Sequence, residues 1–278
     1  MNRSLNTCLK VRKNNRGIAL LIVLLVTALL ITLIFEFSYA TRISLNSAVN
    51  FRDSQRAYFL ARAGVYAFIR YTDLLTQDVT TQGQWLPVPL LSEGDTQVNY
   101  RWEDEDGKIS ISGFVTPGND AYKHLEALFD ITGVSQDVLD RIAEKKTFYL
   151  LSELHQVMSD EEYGKVKDFI TAAPVPVNNG ININTASLTV LRVLCRSHGS
   201  DDSFAGLIDS RRKDHLFVST SEITNMPGME RNPLLASYLG VASDTYKVYA
   251  YTTVGGYTRQ IEAIIQKGNA APLYWRAL

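Results

Sequence analysis

Between Ile18 and Phe35 the chain has no charged residue, and between Ile18 and Ala63 it has neither glycine nor proline. The first absence leaves an apolar run about 27 Å long as a helix, close to the thickness of a bilayer's hydrocarbon, which Glu36 then closes. The second means that nothing obliges a helix started there to stop, so one continuous helix of about 70 Å is permitted. Cysteine is nearly absent: Cys8 lies close to the N-terminus, and Cys195 is the other. Catalytic signatures are missing too. There is no Gly-x-Ser-x-Gly, no phosphate loop and no His-Glu-x-x-His, and the four histidines (His124, His155, His198, His215) are scattered. Cys195-x-x-His198 is half a zinc site at most, and it reads as a buried thiol beside a surface imidazole. No enzymatic activity is expected, and no catalytic or metal-binding residue is assigned.

What is present begins with five cations in the first seventeen residues (Arg3, Lys10, Arg12, Lys13, Arg16), without an acid, ending at Gly17. An ordinary export signal is cut after its apolar region, so the region is lost. Here the plausible cut precedes it and the apolar helix is kept. Once that leader is removed, Cys195 stands alone, an intramolecular disulfide is excluded, and the formal charge falls from −1 to −6. Such a balance disfavours nucleic acid as a partner. The basic flank predicts a cytoplasmic N-terminus, with everything after Phe37 outside the cytoplasm.

Beyond the apolar run the pattern becomes amphipathic. Phe51, Tyr58 and Val65 are spaced by seven, as are Ala61 and Phe68, with Arg42, Arg52, Asp53, Arg56 and Arg62 interspersed. This predicts a stem that packs one face on a folded domain. Two β-hairpins are expected in that domain. In one, Val98, Tyr100 and Trp102 alternate before Asp106-Gly107, with Ile109 and Ile111 after it. In the other, residues 245–254 and 257–267 flank Gly255-Gly256. Two strands alone bury too little, so one antiparallel sheet against the stem is the economical arrangement. The acids from Glu103 to Asp106 read as a solvated turn. They do not form an EF-hand, since Gly107 would put the first ligand at Trp102 and the twelfth at Gly113.

Between the hairpins the chain reads as short helices with an internal echo. Phe148-x-x-x-Ser152-Glu153-Leu154 recurs as Phe217-x-x-x-Ser221-Glu222-Ile223, each followed by a methionine, Met158 or Met226. Residues 174–180 are the expected joint between two related units. Ser219 and Glu222 have capping-box spacing, Asn232-Pro233 reads as a helix start, and Asn184 or Thr185 is poised to cap a helix running to about Ser197. The stretch Asn182-Ile183-Asn184-Thr185-Ala186-Ser187 resembles the start of helix-hairpin-helix modules, some of which hold DNA phosphates. The contact loop is missing, because Asp201 and Asp202 stand where phosphate would lie. Arg211-Arg212-Lys213 reads as a solvated helix face.

The segment Gly17-Ile18-Ala19-Leu20-Leu21-Ile22 and the long helix after it resemble a type IV prepilin. The resemblance implies cleavage between Gly17 and Ile18 by the prepilin peptidase and N-methylation of Ile18. The departure is Ile22 at the fifth mature position, where most members carry Glu. That carboxylate is thought to pair with a neighbour's terminal amine, because a lone charge in hydrocarbon is costly. A subunit with nothing above it needs no such group. Lack of the Glu is a feature of the general secretion pathway K family, the large minor pseudopilins of type II secretion, which also carry the Asn-Ile-Asn-Thr-Ala-Ser motif.

This resemblance implies an α+β, type IV pilin-like fold, a long N-terminal transmembrane helix packed on an antiparallel sheet, with a large inserted helical domain. The expected organisation is a leader (1–17), a transmembrane helix (18–37), a periplasmic stem (38–72), a first pilin-like part (73–118), the helical insert (119–243) and a C-terminal hairpin (244–278). The expected function is to form, initiate and cap the pseudopilus tip with the I and J minor pseudopilins, for export of folded proteins. The major pseudopilin, the prepilin peptidase and the membrane are the other expected partners, and nucleic acid is not. The expected location is the Gram-negative inner membrane, single-pass, with a periplasmic C-terminal domain. Assembly is assigned to Ile22, Phe51, Tyr58 and Val65. No cofactor is expected; some K proteins bind calcium, for which no ligand is assigned. The alternatives are a minor pilin of a type IV pilus and a membrane-tethered DNA-binding protein.

Overall fold

The structure, a computed structural model, describes residues 16–76, 78–88, 91, 96–113, 115–174 and 180–278. The leader up to residue 15 and most of the expected joint at 174–180 lie outside the described residues. The chain divides into two units, Met1–Asp53 and Ser54–Leu278. Helix α1 (Arg16–Arg70) is uninterrupted, as its lack of proline allows. In the first unit its large apolar side chains from Ile18 to Phe37 are all exposed.

In the second unit α1 is followed by a short turn of helix, α2 (Thr72–Leu75), and by strands β1 (Leu86–Pro87), β2 (Val98–Asp104) and β3 (Ile109–Ser110). Helices α3 (Asp120–Thr132), α4 (Gln136–Lys145) and α5 (Asp160–Val166) come next, then strands β4 (Ile170–Thr171) and β5 (Ile181–Asn182). Helices α6 (Leu188–Ser197), α7 (Asp202–Asp214), α8 (Thr220–Thr224) and α9 (Pro233–Ala236) lead to β6 (Leu239–Gly240). Strands β7 (Thr245–Val254), β8 (Tyr257–Gln266) and β9 (Tyr274–Ala277) end the chain.

Five strands form one antiparallel sheet in the order β1-β2-β7-β8-β9. The C-terminal hairpin forms as expected: Gly255 and Gly256 take φ of 56° and 84°, the positive pair that a two-residue turn requires. Strict alternation puts Val98, Tyr100, Trp102, Tyr246, Val248, Ala250, Ile261, Ala263 and Ile265 on one face, buried against Ala61, Val65 and Phe68 of α1. Fully burying a side chain such as Phe68 is worth roughly 1.5–3 kcal/mol. Gly64 permits the close approach, since a Cβ there would sit 2.8 Å from Val98 Cγ1 and 3.1 Å from Ala250 Cβ.

The first expected hairpin does not form. Strand β2 pairs with β1 and β7, while β3 leaves the sheet and runs parallel to β4. Asp106-Gly107 is therefore an exit from the sheet. Ile109, Ile111 and Val115 join the core of the helical module, which thus begins near Ile109 and not near residue 119. The module has two halves of the same plan, each opened by a short strand and closed by one parallel to it: β3 with β4, and β5 with β6. The echo lies at equivalent places. Phe148, Leu154 and Met158 are buried in one half, and Phe217, Ile223 and Met226 in the other. In each, a cation from the preceding helix sits over the phenylalanine ring and pairs with the glutamate: Lys145 with Phe148 and Glu153, Arg211 with Phe217 and Glu222.

Candidate assembly surface and module junction

Gly17 lies in the first turn of α1, and a Cβ there would meet nothing within 4 Å. Ile18 is 62% exposed and Ile22 is 55% exposed, on a helix whose first acid is Glu36. The two hydroxyls inside the apolar run bond back to their own helix, Thr27 to Leu24 O at 2.9 Å and Thr32 to Ala28 O at 3.0 Å, and Thr41 beyond it does the same to Phe37 O at 2.8 Å. Back-bonding of this kind leaves no hydroxyl for hydrocarbon to strand.

The residues spaced by seven do not share one environment. Val65 is in the core, Tyr58 is at its rim with its ring 6.2 Å from Trp275, and Phe51 is 68% exposed. The buried series in the second unit is Ala57, Ala61, Val65 and Phe68, steps of four, four and three. Phe51 falls in the first unit, whereas Tyr58 and Val65 fall in the second. Arg259 of β8 adds a polar tie by donating to Ser54 Oγ at 2.7 Å. The sequence reading missed Gly64; its only signal was a lone glycine late in an otherwise glycine-free stem.

The acids expected in a solvated turn are buried. Asp104 is 1%, Glu105 4% and Asp106 0% exposed. They hold the chain where it leaves the sheet and where it returns. Asp104 accepts from Asn182 Nδ2 (3.1 Å), Ser243 Oγ (2.5 Å), the Thr185 hydroxyl and the Asp106 amide (2.9 Å). Asp106 accepts from the amides of Asp244 (2.6 Å) and Thr245 (3.2 Å) at the start of β7. Glu105 pairs with Lys108 at 2.7 Å and accepts from the Thr171 hydroxyl. Burial pushes the Asp104 carboxyl up, and pushes Asp106 up to about 6 against the pull of its two amide donors. Gly107 lets Thr185 approach, because a Cβ there would stand 2.8 Å from Thr185 Oγ1.

The Asn-Ile-Asn-Thr-Ala-Ser stretch serves this junction. Ser187, and neither Asn184 nor Thr185, caps α6, accepting from Val190 N at 3.2 Å. Asn184 instead bridges loops, bonding Phe217 N, Phe217 O and Val241 O. Of the expected capping box at α8, Glu222 accepts from Val218 N at 3.3 Å, while Ser219 makes no side-chain cap. Pro233 does open α9, though Asn232 makes no side-chain cap. Of the cations expected on a solvated helix face, Arg211 and Lys213 are exposed and pair with Glu222 and Asp209, while Arg212 is turned inward, pairing with Asp209 and donating to Ile183 O and Ala186 O.

Cys195 is buried, which pushes its thiol up to about 11. Asp201 caps α7 and Asp202 pairs with Arg196 at 2.8 Å. Among the described residues no group of three or more His, Cys, Asp or Glu side chains converges as a metal site.

No protein-family model matches the chain, and no curated protein matches it. Among solved structures it is similar to a chain of the GspK-GspI-GspJ complex from the type 2 secretion system of enterotoxigenic Escherichia coli. The TM-score is 0.63 at 13% identity, over 84% of this chain and 99% of that one. At that identity the likeness is one of fold, and the α+β, pilin-like architecture is shared.

Proposed function

We propose that this chain is a minor pseudopilin of type II secretion, rooted in the inner membrane by α1, that ends the pseudopilus and does not extend it. One observation carries the reading: a helical module emerges between β2 and β7 of a pilin-like sheet packed on α1, and the fold is similar to a chain of the secretion complex over 84% of this chain and 99% of that one. Exposed apolar surface from Ile18 to Phe37 is stable only in lipid or against other apolar helices, which supports membrane anchoring and bundling with further pilin-type stems. Cleavage after Gly17 leaves Ile18 as the methylated terminus and Ile22 in place of a carboxylate, so no neighbour's amine is sought from above. The periplasmic part then meets the I and J minor pseudopilins and, beneath them, the major one.

The role is mechanical and not enzymatic. A bulky module beside the sheet blocks a further subunit from stacking and so gives the fibre one end. The proposal is tested by locating the labelled protein on pseudopili, intact and with the module from Ile109 to Val241 replaced by a short linker that keeps β2, β7 and β8. The intact protein marks fibre ends, and the shortened one enters the shaft. Tip-only placement of both would refute steric capping, and failure to co-purify with I and J subunits would refute the assignment. The DNA-binding alternative is weakened because Arg212 is turned inward and Arg211 and Lys213 are each paired with a neighbouring acid, Glu222 and Asp209.

A further inference from the structure

His124 of α3 and His198 at the end of α6 face one another across the two halves of the module, with their Nε2 atoms 3.2 Å apart. Only one proton fits between two such nitrogens, so both rings cannot be charged there. Burial, joined by the neighbouring imidazole, pushes His124 down to about 4, and burial lowers His198 as well. Both shifts favour the neutral ring, the form in which imidazole ligates metals.

The surroundings hold the rings in place. Tyr238 stacks on His198 with centroids 4.0 Å apart and meets the edge of His124 at 5.8 Å. Its hydroxyl donates to Asp120 Oδ2 at 2.6 Å; the Asp120 carboxylate favours positive charge on both imidazoles, and Lys123, 3.6 Å from Asp120 Oδ1 and about half exposed, opposes it. Three elements that are remote in sequence, α3, the end of α6 and the segment before β6, converge here. His198 is half-buried, so one side of the pair is open to solvent.

Two imidazole nitrogens on a tetrahedral zinc, each about 2.0–2.1 Å from it, stand about 3.3 Å apart, close to the 3.2 Å found here. We propose that His124 and His198 together bind a divalent transition metal, zinc by its preference for imidazole, which fastens the first half of the helical module to the second. Water completes the coordination, and Asp120, oriented by Tyr238, supplies the adjacent negative charge. The pair offers two nitrogens and no dense carboxylate shell, so calcium is not its ion. Cys195 takes no part. The site is independent of the role in secretion.

The full chain in detergent micelles, stripped with chelator and titrated with zinc chloride by calorimetry at pH 7.5, tests this. One equivalent binds, calcium chloride does not compete, and the metal raises the melting temperature. His198→Gln and His124→Gln each lose the binding, Asp120→Asn weakens it about tenfold, and a His155→Gln/His215→Gln chain retains it. Should the variants misfold, the unmodified chain still decides the matter. Zinc shields His198 from diethylpyrocarbonate, read by peptide mass spectrometry, while His155 and His215 still react. Absence of stoichiometric zinc binding, binding that survives His198→Gln, or equal labelling of His198 with and without zinc would show an ordinary hydrogen-bonded pair and overturn the proposal.

Discussion

One helix, α1, carries two surfaces that obey different rules. From Ile18 to Phe37 its large apolar residues point in every direction and all are exposed. From Ala57 to Phe68 one face is buried, and Ala61, Val65 and Phe68 on it are sealed against the sheet. The first surface matches a solvent of hydrocarbon, in which any apolar side chain serves and only charge is penalised. The second matches a particular partner, in which each side chain's volume matters, the missing Cβ of Gly64 included.

Four substitutions break or sharpen that contrast. Phe68→Ala removes the largest side chain from the packed face and should cost about 3–5 kcal/mol of unfolding free energy, read as a shifted denaturation midpoint. Leu25→Arg, neutral to the packed face, should cost about 2.5–3.5 kcal/mol of membrane insertion, seen as protein lost from the membrane fraction. Gly64→Val should cost about 1–3 kcal/mol by overpacking against Val98 and Ala250, whereas the same change at Gly17 meets no neighbour. Phe51→Ala should change stability by no more than about 0.5 kcal/mol, since the ring is exposed. If that variant nonetheless loses co-purification with its partners, Phe51 belongs to the assembly surface. A cost comparable to that at Phe68 would show that the packed face reaches further up the helix.

The junction provides a further contrast, this time in pH. Asp106 binds its proton more tightly in the folded chain, at about 6, than in the unfolded one, near 3.8. The stability this group holds at low pH is therefore lost as pH rises from about 4 to about 6, by up to about 3 kcal/mol, and stays level above that. Asp106→Asn, whose amide oxygen can still accept from Asp244 and Thr245, should flatten that slope in denaturation series at stepped pH. An unchanged slope would place the titration elsewhere.

Local signals carried much of the fold. Gly255-Gly256 between alternating strands marked a hairpin because turn and partners lie side by side in the sequence. The echo of Phe148 and Phe217 was legible because the pairs it marks are local, Lys145 with Glu153 and Arg211 with Glu222. Asp106-Gly107 misled for the converse reason. The same turn chemistry serves a hairpin or an exit, and the choice was made by β7, whose residues follow more than a hundred positions later. Asp104 read as solvated because its donors, Asn182, Thr185 and Ser243, are also remote in sequence. The apolar anchor needed no partner to be recognised. Gly64 and the histidine pair did, and neither has a sequence pattern of its own.

The intact mass of the protein recovered from cells with active prepilin peptidase tests the central claim most directly. The account predicts a chain that starts at N-methylated Ile18 and retains the apolar helix. A chain still carrying Met1, or one cut beyond Phe37, would contradict it.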